Sequence, residues 1–170
     1  LKPLTMKEVN TVVGSSGTLL YSSRCPEFKT EEGMATAVEA CRKNHIDALV
    51  CIGGDGTFRG ATDMTFRGFP SIGLPGTIDN DITASDYTIG LDTAINTTVQ
   101  MIDCLRNTCE SHARLNVVEV MGRDCGQIAL YAAIASGAVA VAIPEVPFDE
   151  AGCLEKIRTL REKGKRSMIV

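Results

Sequence analysis

The chain has 170 residues with 17 basic and 21 acidic side chains, a formal net charge of −4, and 44% hydrophobic residues, the composition of a soluble globular protein. No apolar run approaches the roughly 18 residues of a membrane helix and no basic-then-apolar leader opens the chain, while a length of this order buries roughly 70% of the unfolded surface without staples. An acidic balance with three Tyr, five Phe and no Trp argues against a nucleic-acid footprint, and seven cysteines (Cys25, Cys41, Cys51, Cys104, Cys109, Cys125, Cys153) without a C-x-x-C pair indicate neither a zinc site nor a disulfide scaffold.

Thr30 N-caps a predicted helix running to about Asn44, with Glu31 and Glu32 in its first turn and Arg42 and Lys43 in its last, where the helix dipole favours them. The mostly apolar run 46–52 follows as a predicted buried strand, stopped by Gly53-Gly54-Asp55-Gly56, with a short helix from about Thr57. A second strand over 70–74 ends in Pro75-Gly76-Thr77-Ile78-Asp79-Asn80-Asp81, which is too irregular and polar for helix. A long helix over 90–107 would align Leu91, Ile95, Thr98, Ile102 and Leu105 on one face. Then come a strand over 115–121, Gly122-Arg123, a helix over 126–136, a strand over 139–143, a helix over 150–162 stopping near Lys163-Gly164, and a last strand over 167–170. Strands alternating with helices predict an α/β fold with mostly parallel sheets covered on both faces, whose ligands bind beyond the strand C-termini.

Three stretches at those C-termini carry chemistry. Gly53-Gly54-Asp55-Gly56-Thr57 lets backbone amides approach a polyphosphate, and Asp55 would repel that phosphate unless a divalent cation lay between them. A tight strand-to-helix turn with Asp as cap accounts for the same residues, and the motif alone leaves both readings open. Thr77, Asp79 and Asp81 present a hydroxyl and two carboxylates from irregular backbone, which suits a general base for phosphoryl transfer; Asx-turn capping by Asp79 and Asn80 is the bland reading. Met121-Gly122-Arg123 sets a guanidinium at another strand end, and Arg24 and Arg114 lie in loops, each a surface charge taken singly and a phosphate partner taken together.

Gly-Gly-Asp-Gly-Thr, Pro-Gly-Thr-Ile-Asp-Asn-Asp and Met-Gly-Arg, in this order and spacing, resemble the ATP-dependent 6-phosphofructokinases of bacterial type. Ser23-Arg24-Cys25-Pro26-Glu27-Phe28 and Ser111-His112-Ala113-Arg114 also match, so the resemblance covers essentially the whole chain, as a central fragment. It implies a three-layer α/β/α fold with two Rossmann-like domains, both incomplete: residues 1–90 in the ATP-binding domain and 91–170 in the fructose 6-phosphate-binding domain. The implied reaction is phosphorylation of fructose 6-phosphate to fructose 1,6-bisphosphate, a glycolytic step, with Mg2+ accompanying ATP. Asp79 would deprotonate the 1-hydroxyl beside Asp81, with Thr77 and Arg24 near the transferring phosphoryl group. Asp55 would hold Mg2+, and Gly54, Gly56, Thr57, Gly60, Arg24 and Cys25 would line the ATP site. Met121, Gly122 and Arg123 would contact the sugar phosphate, and Arg114 would reach a neighbouring subunit's active site, which implies a homo-oligomer, by the resemblance a homotetramer.

Pyrophosphate-dependent relatives carry Asp at the position of Gly56 and Lys at that of Gly76, so both glycines point to ATP. Arg106, Gly137, Lys163 and Lys165 match an effector site for ADP or phosphoenolpyruvate, while Val139 stands where an acidic metal-binding residue is expected, which implies weak or altered ADP activation. The resemblance also implies a first glycine-rich loop before Leu1 and sugar-phosphate ligands beyond Val170, so the fragment alone is expected to turn over little. NAD and diacylglycerol kinases share the Gly-Gly-Asp-Gly-Thr turn but not the two later motifs. A regulatory nucleotide-binding module would have no use for Asp79.

Overall fold

The computed structural model describes residues 3–164 and 167–169. They form two compact units interleaved in sequence: those up to Cys51 with Phe58–Gly73, and Ile52–Thr57 with those from Leu74 onward.

In the first unit, helix α1 (Met6–Asn10) is held by a capping box in which the Thr5 hydroxyl accepts the Glu8 N–H and the Glu8 carboxylate accepts the Thr5 N–H. Neither it nor the 3-10 turn Pro26–Lys29 was legible from periodicity, because each is too short to show any. Helix α2 (Glu31–Lys43) begins where predicted, with the Thr30 hydroxyl accepting the Gly33 N–H at 3.1 Å. It buries Met34 and Val38 against Met64 and Phe69, with Phe28, Ala37, Cys41, Ile46 and Leu49 packed around them.

Strand β1 (Leu49–Gly53) starts later than the apolar run suggests. The Ile46 N–H returns to the Cys41 carbonyl at 3.0 Å, so Ile46 closes the end of α2 rather than opening a strand. Helix α3 (Asp55–Phe66) crosses to strand β2 (Ser71–Pro75), which pairs with β1. The strands alternate: Leu49 joins the core, whereas Val50 is 63% and Ile52 68% exposed. The expectation of a uniformly buried strand is therefore corrected, since only one face of this pair is covered by the described helices. α3 also begins two residues before the predicted Thr57, because the glycines end the strand and Asp55 already takes the first helical position.

The second unit is built on helix α4 (Leu91–Ser111) against helix α5 (Gln127–Ser136), where Ile102, Ala129, Ala132 and Ala133 form the core with Val99, Val118, Val120, Val141 and Ile143 around it. The buried stripe of α4 runs through Leu91, Ile102 and Cys109. Leu105, placed on that face by the sequence, is 44% exposed, because Arg106 lies on the packed side and sends its guanidinium to the Ser136 carbonyl at 2.6 Å. Strand β3 (Leu115–Val117) pairs in parallel with strand β4 (Ser167–Ile169), Leu115 opposite Ser167. β3 is shorter than the predicted 115–121, since Val118 and Val120 turn into the core instead.

The predicted strand over 139–143 is absent but for a single bridge residue at Ala140. Its alternating apolar residues do pack, Val141 and Ile143 on the core, but no described neighbour completes a ladder, and the Val139 carbonyl accepts from the Lys156 ammonium at 2.8 Å. Helix α6 (Glu150–Glu162) follows as predicted, N-capped by Asp149. The last predicted residue of the final strand, Val170, lies outside the described residues, within which no helix is long and apolar enough to cross a membrane.

The two leucine-like positions of α4 separate cleanly in stability. Ile102→Ala should cost about 2–5 kcal/mol of unfolding free energy and Leu105→Ala about 0.5 kcal/mol or less, read from urea midpoints at constant slope. Equal losses would place the buried stripe wrongly.

Candidate functional site

The turn after β1 sets Asp55 at the first position of α3, where backbone amides lack intrahelical partners and the dipole is positive. Gly54 lies against Thr77, whose Cβ is 3.4 Å from where a glycine-to-alanine Cβ would stand, so the first and second motifs touch there. A Cβ on Gly56 would meet nothing within 4 Å. Gly56 and Thr57 fall within the first turn of α3.

Beyond β2 the chain loops through residues 76–90 before α4. The Gly76 N–H bonds the Leu74 carbonyl at 2.8 Å, the Ile89 N–H bonds the Pro75 carbonyl at 2.7 Å, and the Asp79 N–H bonds the Thr77 hydroxyl at 3.2 Å. Asn80 stands at φ 56°, a left-handed conformation that Asn tolerates better than most residues. The Asp81 Oδ1 and the Thr88 hydroxyl are buried without a hydrogen-bond partner among the described residues.

Gly122 is buried in a tight turn closed by the Cys125 N–H to the Gly122 carbonyl at 2.9 Å, and a Cβ there would strike the Cys125 carbonyl. Arg123 takes φ 57° in this turn, an uncommon conformation for a long side chain. Its guanidinium lies 3.8 Å from the Asp55 carboxylate and 3.7 Å from Asp124. These pairs are solvent-screened and contribute modestly to stability, so their value is positional.

Burial raises the Asp79 carboxyl above its ordinary value of 3.8, the neighbouring Asp81 carboxylate raises it further, and Arg123 opposes both. A carboxylate with raised proton affinity in a polar loop is the better base at neutral pH.

The second unit thus brings Gly54, Asp55, Thr77, Asp79, Asp81 and Arg123 into one neighbourhood. Gly122 holds the Arg123 turn, while Met121 and Arg114 are exposed. Arg24, Cys25 and Gly60 belong to the first unit: Arg24 and Cys25 are exposed, the Cys25 thiol faces Glu27 at 3.5 Å, and Gly60 packs on the Phe28 ring. Of the four effector positions, Arg106 is bonded to Ser136 and Asp103, Gly137 closes α5 at φ 66°, Lys163 is exposed at the end of α6, and Lys165 lies outside the described residues.

Three residues escaped the sequence reading as parts of the site. Asn80 reads in sequence as a turn-former, yet its side chain bonds Thr88, Asp86 and, 47 residues away, Gln127. Glu145 accepts the Gly126 N–H at 2.7 Å and so caps α5 from a distant loop. The one local signal was an Asn between two Asp in an irregular stretch.

No group of three or more His, Cys, Asp or Glu suited to a metal occurs among the described residues. A magnesium ion held through one or two carboxylates, with phosphate oxygens and water completing its shell, needs no such cage. Asp55 at the helix start and the unpartnered Asp81 Oδ1 fit that requirement.

The sequence profile of the phosphofructokinase family matches residues 1–170. Among curated proteins, the ATP-dependent 6-phosphofructokinase of Clostridioides difficile (strain 630) is 49% identical over the whole chain, and that of Listeria welshimeri is 47% identical. The chain spans 53% of each of those relatives. Among solved structures, phosphofructokinase from Saccharomyces cerevisiae superposes with a TM-score of 0.77 at 35% identity, over 91% of this chain and 24% of that one. The T-state enzyme of Pichia pastoris gives a TM-score of 0.78 at 31% identity, over 90% and 20%.

Because folding raises the Asp79 pKa, the unfolded chain releases this proton at lower pH than the folded one. The resulting destabilisation is absent below pH 3.8, grows as pH rises, and is complete above the folded value. Asp79→Asn should therefore raise the unfolding temperature of the full-length protein at neutral pH, with the gain vanishing at pH 3.5. A gain that persists unchanged in acid would show that the carboxylate is not under this strain.

Proposed function

The chain belongs to the phosphofructokinase family, and we propose that the full protein transfers the γ-phosphoryl group of ATP to the 1-hydroxyl of fructose 6-phosphate as a soluble cytoplasmic enzyme. The observation that carries this reading is the half-buried Asp79, its proton affinity raised by burial and Asp81, set near an arginine that also faces Asp55.

Asp79 accepts the proton of the 1-hydroxyl as that oxygen bonds to the γ-phosphorus, and the bond to the ADP oxygen breaks. Thr77 and Arg24 attend the transferring group. Gly54, Gly56, Thr57, Gly60 and Cys25 line the nucleotide's place, and Met121, Gly122 and Arg123 take the sugar phosphate. Residues 1–90 serve mainly the nucleotide and 91–170 mainly the sugar. Mg2+, held by Asp55, supplies charge neutralisation for the phosphates when bound. The exposed Arg114 is assigned to the active site of a neighbouring subunit in a homotetramer. Arg106, Gly137, Lys163 and Lys165 are assigned to a regulatory anion such as ADP or phosphoenolpyruvate.

The open space at Gly56 supports a nucleotide donor over pyrophosphate, since nothing in the chain itself requires the missing side chain. In the full-length enzyme Asp79→Ser should lower kcat by about 10²–10⁴-fold and move the KM for fructose 6-phosphate much less. Gly56→Asp should weaken use of ATP. A full-length protein that phosphorylates fructose 6-phosphate from pyrophosphate and not from ATP would sink the donor assignment.

A further inference from the structure

Asn80 sits between the two carboxylates of the site and is itself uncharged. Its side chain uses three hydrogen bonds: Nδ2 donates to the Asp86 carbonyl at 3.2 Å and to Gln127 Oε1 at 2.8 Å, and Oδ1 accepts the Thr88 N–H at 2.8 Å. A backbone carbonyl can only accept and a backbone N–H can only donate, so Asp86 and Thr88 fix which way the Asn80 amide faces. Gln127 must then present its oxygen.

Each partner is anchored. Residue 88 is buried and the next residue, Ile89, bonds the Pro75 carbonyl at the end of β2. Gln127 opens α5 directly after Gly126, whose N–H is held by Glu145, and lies four residues after Arg123. The bond from Asn80 to Gln127 therefore joins the loop that carries Asp79 to the segment that carries Arg123, two parts of the chain 47 residues apart.

We propose that Asn80 is a positioning residue, whose carboxamide clamps the 77–81 loop to the start of α5 and holds Asp79 in place relative to Arg123 for the transfer step. The inference rests on the phosphotransferase reading for its kinetic consequence and on geometry alone for the clamp. Aspartate has the same shape but cannot serve. It would keep the bond from Thr88, present no donor to the Asp86 carbonyl, and put a third negative charge between Asp79 and Asp81. Glycine is the informative replacement, because it keeps φ 56° without strain and removes only the clamp.

The test uses the full-length enzyme with Asn80→Gly, Gln127→Met and the double variant, in steady-state assays with ATP and fructose 6-phosphate and in hydrogen exchange. Asn80→Gly is expected to lower kcat about 10- to 100-fold while both KM values move less than threefold, the signature of a displaced reacting group. Gln127→Met, which leaves Asn80 and its backbone intact, is expected to lower kcat less. The double variant should be no worse than Asn80→Gly, since the bond that Gln127→Met removes is already lost with Asn80. Exchange of the Thr88 amide should quicken in Asn80→Gly whatever the turnover. A kcat within twofold of the parent, fully additive losses, or unchanged Thr88 exchange would overturn the inference. Should Asn80→Gly fail to fold, Gln127→Met still decides it, an unchanged kcat counting against. A parent enzyme without turnover would refute the functional reading only, and exchange would still decide the clamp.

Discussion

Like charges stand close together at the site of the second unit. Asp55 and Asp79 both face Arg123, and Asp81 stands close enough to Asp79 to raise its proton affinity. Carboxylates so arranged would relax apart on a mobile loop. Here they are restrained by the Asn80 amide, by bonds from Gly76 and Ile89 to the end of β2, and by a single guanidinium whose own backbone sits at positive φ. A left-handed residue other than glycine costs of the order of 1–2 kcal/mol, and such strain persists only where the surroundings over-determine it. Asn80 and Arg123 are such residues within this one neighbourhood, and Ala84 at φ 66° is another in the same loop as Asn80. The turn that fixes Arg123 depends in turn on Gly122, whose missing side chain makes room for the Cys125 carbonyl.

What the sequence made legible was local. Thr30 with Glu31 and Glu32 announces a helix start, and α2 begins there. The three site motifs were legible for a similar reason: each is a short string whose residue types are demanded by chemistry. Strands were read less well, because apolar alternation reports burial and not pairing. Residues 139–143 alternate and do pack Val141 and Ile143 on the core, yet among the described residues no neighbouring backbone completes a ladder beyond Ala140. Leu105 failed for a related reason. A helical wheel sees an apolar stripe but not that Arg106 reaches the Ser136 carbonyl and so rotates the packed face. Contacts such as Asn80 with Gln127 and Gly126 with Glu145 span 47 and 19 residues, and no local pattern encodes them.

The glycines of a single motif show how far a string under-describes its physics. Gly54 is close to this chain's own packing, since a Cβ there would stand in ordinary van der Waals contact with Thr77, and the approach joins the turn after β1 to the loop after β2. Gly56 is not: a Cβ there would meet open space, and its position in the first turn of α3 is one where glycine costs helix stability relative to alanine, by up to about 1 kcal/mol. A residue that weakens its own helix and relieves no internal clash answers to something outside the chain. At a helix start, beside a carboxylate paired with an arginine, such an opening suits the phosphate chain of the proposed nucleotide, brought in with its own cation.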